Sequence, residues 1–276
     1  MKSTITVGAV AYHAKAVPIW EGIKEYFQSE KVDLDFILFS NYERQVEALF
    51  EGFIDIAWNT NLAYIKTDRR LNGRSQILAM RDTDVNFTTK IIVPASSAAK
   101  SLADLKGKRV AFGSRDSAQA AVIPEYYLKE SGLNADKDYT AVRFNSDVGK
   151  HGDTGRSEED VIDALRKGQV DAGSVGESTW HALVSQGESS LRELWTSPAY
   201  SHCNFTALPE LDPAKAKLFV DTLLRMDYNN PCHKTVLDME GLKEWVHGQR
   251  KGYDSVFAAV DATGYLASEA LSGACK

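Results

Sequence analysis

The sequence predicts an α/β fold of two lobes, each lobe a mostly parallel sheet flanked by helices. Three observations predict it. Segments with an apolar period of two alternate with segments of period 3.6 through most of the chain. The strand segments are short and nearly continuously apolar, as strands covered on both faces must be. The order of segments then starts afresh at Ser101. A chain of 276 residues exceeds one average domain and suits two lobes of ordinary size.

The chain opens on a strand over residues 4–10, followed by a loop and a helix in which Ile19, Trp20, Ile23, Tyr26 and Phe27 share one face. Residues 32–39 alternate Val32, Leu34, Phe36 and Leu38 as a strand does. A second helix carries Val46, Leu49, Phe50 and Phe53, with Gly52 marking its end. Residues 54–58 form a short apolar strand, and another helix follows from Thr60. Ser101 and Asp104 have the spacing of a capping box, and Arg109 to Phe112 reads as a strand. The next helix covers residues 117–131 and stops at Gly132; a strand follows at 140–144. Ser157 with Asp160 repeats the capping-box spacing before a helix with Val161, Ile162 and Leu165 on one face. Gly168 ends that helix, and 170–175 is a strand. Asp212 and Pro213 open a helical region as N-cap and first residue; Tyr253, Val256, Phe257 and Val260 belong to helices expected to pack back on the first lobe.

The two halves match in sequence. Ala48-Leu49-Phe50-Glu51-Gly52-Phe53-Ile54-Asp55-Ile56-Ala57 aligns with Ala164-Leu165-Arg166-Lys167-Gly168-Gln169-Val170-Asp171-Ala172-Gly173. This is one β-α-β-α-β layout used once per lobe rather than a short solenoid repeat. The chain crosses between lobes near 87–95 and 194–208, so lobe one is discontinuous, 1–93 and 200–276, with lobe two at 94–199. In such sheets ligands sit beyond the carboxyl ends of the strands. The expected site is therefore a cleft where the loops of both lobes meet.

A net charge of −6 and the lack of any Lys/Arg-rich run exclude a general affinity for nucleic acid or anionic membrane. No stretch approaches the roughly 18 apolar residues of a membrane span, so no insertion is expected. Residues 5–11 lack the basic start, long apolar core and cleavage site of a secretory signal. As written the chain reads as cytoplasmic, and as periplasmic if a signal peptide has been removed. Cys203, Cys232 and Cys275 form neither a disulfide framework nor a zinc knuckle, and the six histidines lack metal spacing. No metal and no cofactor are expected; Gly-x-Gly-x-x-Gly, Walker and His-Glu-x-x-His motifs are absent.

Four segments resemble a known family. Ser101-Leu102-Ala103-Asp104-Leu105-Lys106-Gly107-Lys108-Arg109-Val110-Ala111-Phe112 is similar to the segment opening lobe two of type II periplasmic-binding proteins. Gly168-Gln169-Val170-Asp171-Ala172-Gly173 matches their later strand, and Gly52-Phe53-Ile54-Asp55-Ile56-Ala57-Trp58 its lobe-one counterpart. Gly252-Tyr253-Asp254-Ser255-Val256 through Thr263-Gly264-Tyr265-Leu266 resembles the C-terminal helix of the phosphate/phosphite/phosphonate-binding branch. The resemblance implies a two-lobed solute-binding protein that closes on a small oxyanion and delivers it to an ABC transporter. Gly113-Ser114-Arg115-Asp116-Ser117-Ala118-Gln119 stands where the family has a Ser/Thr cluster, and Asn59-Thr60-Asn61 replaces a Gly- or Pro-containing turn. Relatives of the fold also include cytoplasmic enzymes.

The leading site candidate is the loop Ser114 to Gln119. A helix entrance offers free N–H donors and partial positive charge to a phosphonate-, sulfonate- or carboxylate-like group. Ser117 and Gln119 add donors, and Arg115 a charge-assisted contact. Asp116 must turn aside as a helix cap, or the ligand carries less negative charge there. In lobe one, Tyr12 and His13 follow the first strand, and Asn59 and Thr60 end the third. In lobe two, His151 lies in a glycine-containing loop and Glu177 follows a strand. Each of these positions also suits a plain cap or a solvated loop. Tyr200, Ser201, His202 and Cys203 fall at a crossing. Neighbours in an extended chain face opposite ways, so His202 is not expected to serve Cys203. Binding of a small polar, anionic solute is thus favoured over the alternative, a lyase or hydrolase on the same scaffold using His13, His202 or Cys203.

Overall fold

The computed structural model describes residues 4–266. In chain order its elements are β1 (Ile5–Val10), α1 (Ala16–Ser29), β2 (Leu34–Phe39), α2 (Tyr42–Phe50), β3 (Ile56–Asn59), α3 (Asn61–Arg70), β4 (Gln76–Ile77), β5 (Ala79–Arg81) and β6 (Thr89–Pro94). There follow β7 (Arg109–Phe112), a π-turn (Ala118–Val122), α4 (Ile123–Glu130), β8 (Thr140–Arg143), α5 (Arg156–Arg166), β9 (Ala172–Gly176), α6 (Glu177–Ser185) and β10 (Leu191–Thr196). The last are β11 (Asn204–Ala207), α7 (Pro213–Leu223), α8 (Pro231–Glu240), β12 (Trp245–His247) and α9 (Asp254–Thr263).

The chain forms two compact units. One holds residues up to Asn86 and Ser201–Tyr253; the other holds Phe87–Tyr200 and the segment from Asp254. The first contains a five-stranded sheet of order β2-β1-β3-β11-β4 and a small β12-β5 ribbon. β1 runs parallel to β2 and β3, while β11 is antiparallel to β3 and β4. The second repeats this plan as β8-β7-β9-β6-β10, with β7 parallel to β8 and β9 and β6 antiparallel to β9 and β10. Both sheets are mixed, because the strand arriving from the other unit inserts antiparallel.

The matched decapeptides do the same job in each unit. Gly52 and Gly168 take left-handed φ values of 74° and 65°, and the next residue's N–H bonds back to Ala48 or Ala164. These are Schellman-type helix ends. Asp55 and Asp171 then each accept the N–H of a residue at the start of β1 or β7, Thr6 or Arg109, at 2.8 Å. Their own N–H groups bond to the carbonyls of the same two residues. Ile56-Ala57 then pair with β1, as Ala172-Gly173 pair with β7.

Apolar side chains cover both faces of each sheet. In the first unit α1, α7 and α8 pack Ile19, Phe27, Phe219 and Leu237 on one face, and α2 packs Val46 and Leu49 on the other. In the second, Leu128 of α4 lies with one cluster and Val161 and Leu165 of α5 with the opposite one.

Four expectations differ from the fold. Phe53 is not on the buried face of α2: it follows the left-handed Gly52 and is exposed. The Ser101–Asp104 capping box is formed, but Ser157 and Asp160 form none. A left-handed Gly155 starts α5 two residues earlier, so Ser157 falls inside the helix and is buried. α9 packs on α4 and the π-turn within the second unit rather than returning to the first. The expected helix over 117–131 opens as a π-turn, and Pro124 supplies a reason: it has no N–H to give the Ala120 carbonyl. That carbonyl instead accepts from Gly113 N at 2.9 Å and Ser174 Oγ at 2.6 Å, anchoring the loop that leaves β7.

Candidate functional site

In the second unit the loops after β7, β8 and β9 converge. Ser117 is the N-cap of the π-turn, its hydroxyl accepting from Ala120 N at 3.2 Å. The Ser114 hydroxyl donates to Asp147, whose other oxygen accepts from Thr154 at 2.8 Å. The 144–155 loop is thereby tied to the entrance of the π-turn. Asp116 does not cap the helix; its carboxylate receives the N–H of Gly149 and so is turned toward that loop. The loop carries left-handed residues at Gly149, His151, Gly152 and Gly155. Gly152 is required twice over: its φ is 84°, and a Cβ there would stand 2.4 Å from Ser117 Oγ.

Ser114, Ser117, Gln119 and His151 are all buried, and Gly152 of the 144–155 loop lies against Ser117 and Gln119. Arg115 is exposed, and its guanidinium makes no hydrogen bond or ion pair among the described residues; only its N–H is held, by Asn145 at 3.0 Å. Glu177 is engaged otherwise than expected. Its carboxylate accepts from Thr88 N at 3.0 Å and Thr88 Oγ1 at 2.9 Å, fastening α6 to the chain entering β6.

In the first unit, Tyr12 is half-buried against the cluster of Val10, Tyr42, Val46 and Ala63, with the Lys15 ammonium 5.7 Å from its ring centroid. His13 is exposed and accepts from Lys15 N at 3.1 Å. Asn59, Thr60 and Asn61 are fully buried at the end of β3. The Thr60 hydroxyl caps α3 by accepting from Ala63 N. Gln45, on the buried face of α2, donates to Trp58 O and Asn59 Oδ1, both at 2.8 Å. Asn59 Nδ2 and Asn61 Oδ1 remain without a hydrogen-bond partner, though neither touches solvent. A buried polar group left in that state costs about 1–3 kcal/mol, so these atoms mark a place where a ligand or water belongs.

His202 and Cys203 are adjacent, against expectation, with His202 Nδ1 3.0 Å from Cys203 Sγ. Residues 201–203 precede β11 and are not strand, so alternation of side chains does not apply to them. Asp84 organises the group: its carbonyl accepts His202 N at 2.9 Å, its Oδ1 accepts Cys203 N at 3.1 Å, and His202 Nδ1 lies 3.4 Å from Oδ1. These three side chains place potential metal ligands within 4.8 Å of one another. Yet Arg81 grips both oxygens of Asp84, at 2.6 and 2.9 Å, and also reaches Glu240. Burial alone would raise the Asp84 carboxyl, but the Arg81 charge and its hydrogen bonds, with help from His202, outweigh this and hold it at about 2. The cluster is a saturated ion network: a cation entering it would have to displace a buried guanidinium.

Sequence reasoning missed Gln45, Asp84 and Glu158. Gln45 was detectable as the polar residue at a core position of α2. Glu158 was hidden in the run Ser157-Glu158-Glu159-Asp160, which reads as a solvated first turn.

Two units on this plan define a class, the two-lobed substrate-binding proteins that deliver small solutes to membrane transporters. The profile of the family described as "ABC transporter, phosphonate, periplasmic substrate-binding protein" matches residues 6–253, and the chain belongs to that family. Its role is accordingly the binding of a small anionic solute. A probable ABC transporter phosphite-binding protein, PhnD1 of Prochlorococcus marinus, is 24% identical over 246 residues, covering 84% of this chain and 80% of that protein. The structure of PhnD1 in complex with methylphosphonate superimposes with a TM-score of 0.73 at 22% identity, covering 95% and 98% of the two chains. XAC2383 of Xanthomonas citri bound to ATP gives 0.72 at 16% identity, over 95% and 98%. The periplasmic aliphatic sulphonate-binding protein SsuA of Escherichia coli gives 0.63 at 15%, over 98% and 89%. No helix among the described residues is long and apolar enough to cross a membrane.

Proposed function

We propose that this protein captures a small phosphonate- or phosphite-like oxyanion and passes it to an ABC transporter on the periplasmic side of the membrane. The observation that carries the reading is the buried, serine-lined entrance of the π-turn, with Ser114, Ser117 and Gln119, and with Gly152, next to the buried His151, lying against Ser117 and Gln119. A helix entrance supplies backbone N–H donors and partial positive charge without a buried lysine. Arg115, which pairs with no carboxylate among the described residues, is available to close over the anion. Names of relatives support the ligand class: PhnD1 was solved with methylphosphonate, and SsuA is a sulphonate-binding protein.

Titration calorimetry with methylphosphonate, phosphite, phosphate and methanesulfonate tests this. At least one should bind, and Arg115→Ala should weaken it by about ten- to a hundredfold, the loss of one charge-assisted hydrogen bond of about 1.5–3 kcal/mol. Unchanged affinity would remove Arg115 from the site. Failure of every oxyanion to bind would overturn the ligand class. Recovery in the periplasmic fraction of cells expressing the full gene is the matching expectation for location.

A further inference from the structure

Ser157 carries a hydroxyl that the entrance of the π-turn does not use. It is fully buried in the first turn of α5, and its Oγ has no hydrogen-bond partner among the described residues. A serine inside a helix can turn back to a carbonyl of the preceding turn, and this one does not. A buried hydroxyl left in that state is costly, and alanine would suit the same helical position without the cost. The side chain has a definite direction. A Cβ on Gly113 would stand 2.8 Å from Ser157 Oγ and 3.5 Å from Ser157 Cβ, so the hydroxyl leads toward Gly113. Gly113 follows the end of β7, gives its N–H to the Ala120 carbonyl of the π-turn, and directly precedes Ser114. The same Cβ would stand 2.7 Å from that of Ala120, so α5 and the π-turn close on one glycine.

The start of α5 is short of acceptors as well. Its N-cap is the left-handed Gly155, which has no side chain to cap with. Arg156 gives its N–H to Thr154 Oγ1 at 3.1 Å, and Glu159 gives its own to the Gly155 carbonyl at 3.0 Å. Between them, the N–H groups of Ser157 and Glu158 have no acceptor among the described residues. They are the orphan donors of a helix start, with the positive end of the helix dipole behind them. The neighbouring carboxylates are engaged elsewhere: Glu158 takes the N–H of Gly176 at 2.9 Å, and Asp147 the hydroxyls of Ser114 and Thr154. All of these residues belong to the second unit. We infer that Ser157 is a ligand-binding residue, its hydroxyl and the orphan N–H groups of α5 holding one oxygen of the bound anion. This rests on the reading that the turn from Ser114 to Gln119 receives that anion. A phosphonate group has three oxygens, so one can be held by α5 while another meets the π-turn.

Titration calorimetry with methylphosphonate and phosphite tests the assignment. Ser157→Ala should weaken binding about tenfold or more, the loss of one hydrogen bond to a charged group. Without ligand the variant should melt no lower than wild type, because alanine removes a buried hydroxyl that bonds to nothing in the protein. A lower melting temperature with unchanged affinity is the mark of a structural serine and would overturn the inference. Ser157→Cys, close in volume but a weak donor, should lose affinity as alanine does, and full affinity in it would count equally against the role. Wild-type protein gives a readout that no variant's folding can obscure. The backbone amide resonance of Ser157 should move downfield as methylphosphonate is added; a Ser157 amide that stays still while those of the π-turn move refutes the contact. Ser117→Ala separates the two readings. If it weakens binding and Ser157→Ala does not, the π-turn holds the anion without α5. If neither variant weakens binding, or neither oxyanion binds, the anion does not sit at the π-turn and the underlying reading fails as well.

Discussion

At the scale of single residues, the site is built by groups whose hydrogen bonds decide their roles. Ser117 was legible in the sequence because an N-cap needs a short acceptor directly before a helix, and the structure uses it so. Asp116 was legible as a problem, and its solution, a bond to Gly149 across the loop, depends on a contact thirty-three residues away that no local pattern encodes. Glu177 was legible as a residue ending a strand, but its engagement by Thr88 arises from a distant segment. Cys203 shows the same limit. Its neighbour His202 touches it because Asp84 bends the intervening backbone, and Asp84 was invisible beside the half-buried Asp82. A nucleophilic thiol needs access as well as a base, and Cys203 is only 4% exposed. With Cys275, which lies outside the described residues, replaced by serine, a thiol reagent should label Cys232 promptly, since it is exposed. Cys203 should react only at the rate at which the fold opens. Labelling of Cys203 as fast as Cys232, with protection by ligand, would revive the catalytic alternative.

At the scale of elements, the glycine-to-aspartate segment is the unit that the sequence displayed twice and the fold uses twice. Gly52 and Gly168 end a helix, two residues lead to Asp55 or Asp171, and the carboxylate fixes the start of β1 or β7. The repetition was readable because the motif is local. The mixed character of the sheets was not, since β11 and β6 are brought in from elsewhere in the chain and no spacing announces an antiparallel insertion. The motif makes a clear demand on chemistry. Asp171 receives the Arg109 N–H at 2.8 Å and pairs with the Arg109 guanidinium at 3.2 Å, but both side chains are well exposed, so the ion pair adds little. The backbone bond should dominate. Asp171→Ala is expected to cost about 1–2 kcal/mol, while Asp171→Asn, which keeps an acceptor, should cost less than half as much. Urea titration of the two variants compares them directly; equal losses would assign the stabilisation to charge instead.

At the scale of the whole molecule, a chain of net charge −6 that binds an anion must do so with fixed local donors, since its overall field opposes approach. The serine hydroxyls and helix entrance of the second unit meet that requirement, and each of the two units possesses its own apolar cores. The division has a measurable consequence. A ligand that binds only folded protein stabilises whatever must be folded to hold it, by about 2.7 kcal/mol at a hundred times its dissociation constant. The unit that holds the ligand must gain. The tryptophans make this observable, because Trp20, Trp58 and Trp245 lie in the first unit and Trp180 and Trp195 in the second. Trp180→Phe combined with Trp195→Phe leaves emission from the first unit alone, and replacing the other three leaves the second. Saturating methylphosphonate should raise the melting temperature reported by Trp180 and Trp195, whose unit carries the π-turn entrance. A shift confined to Trp20, Trp58 and Trp245 would place the ligand in the first unit and overturn the π-turn reading.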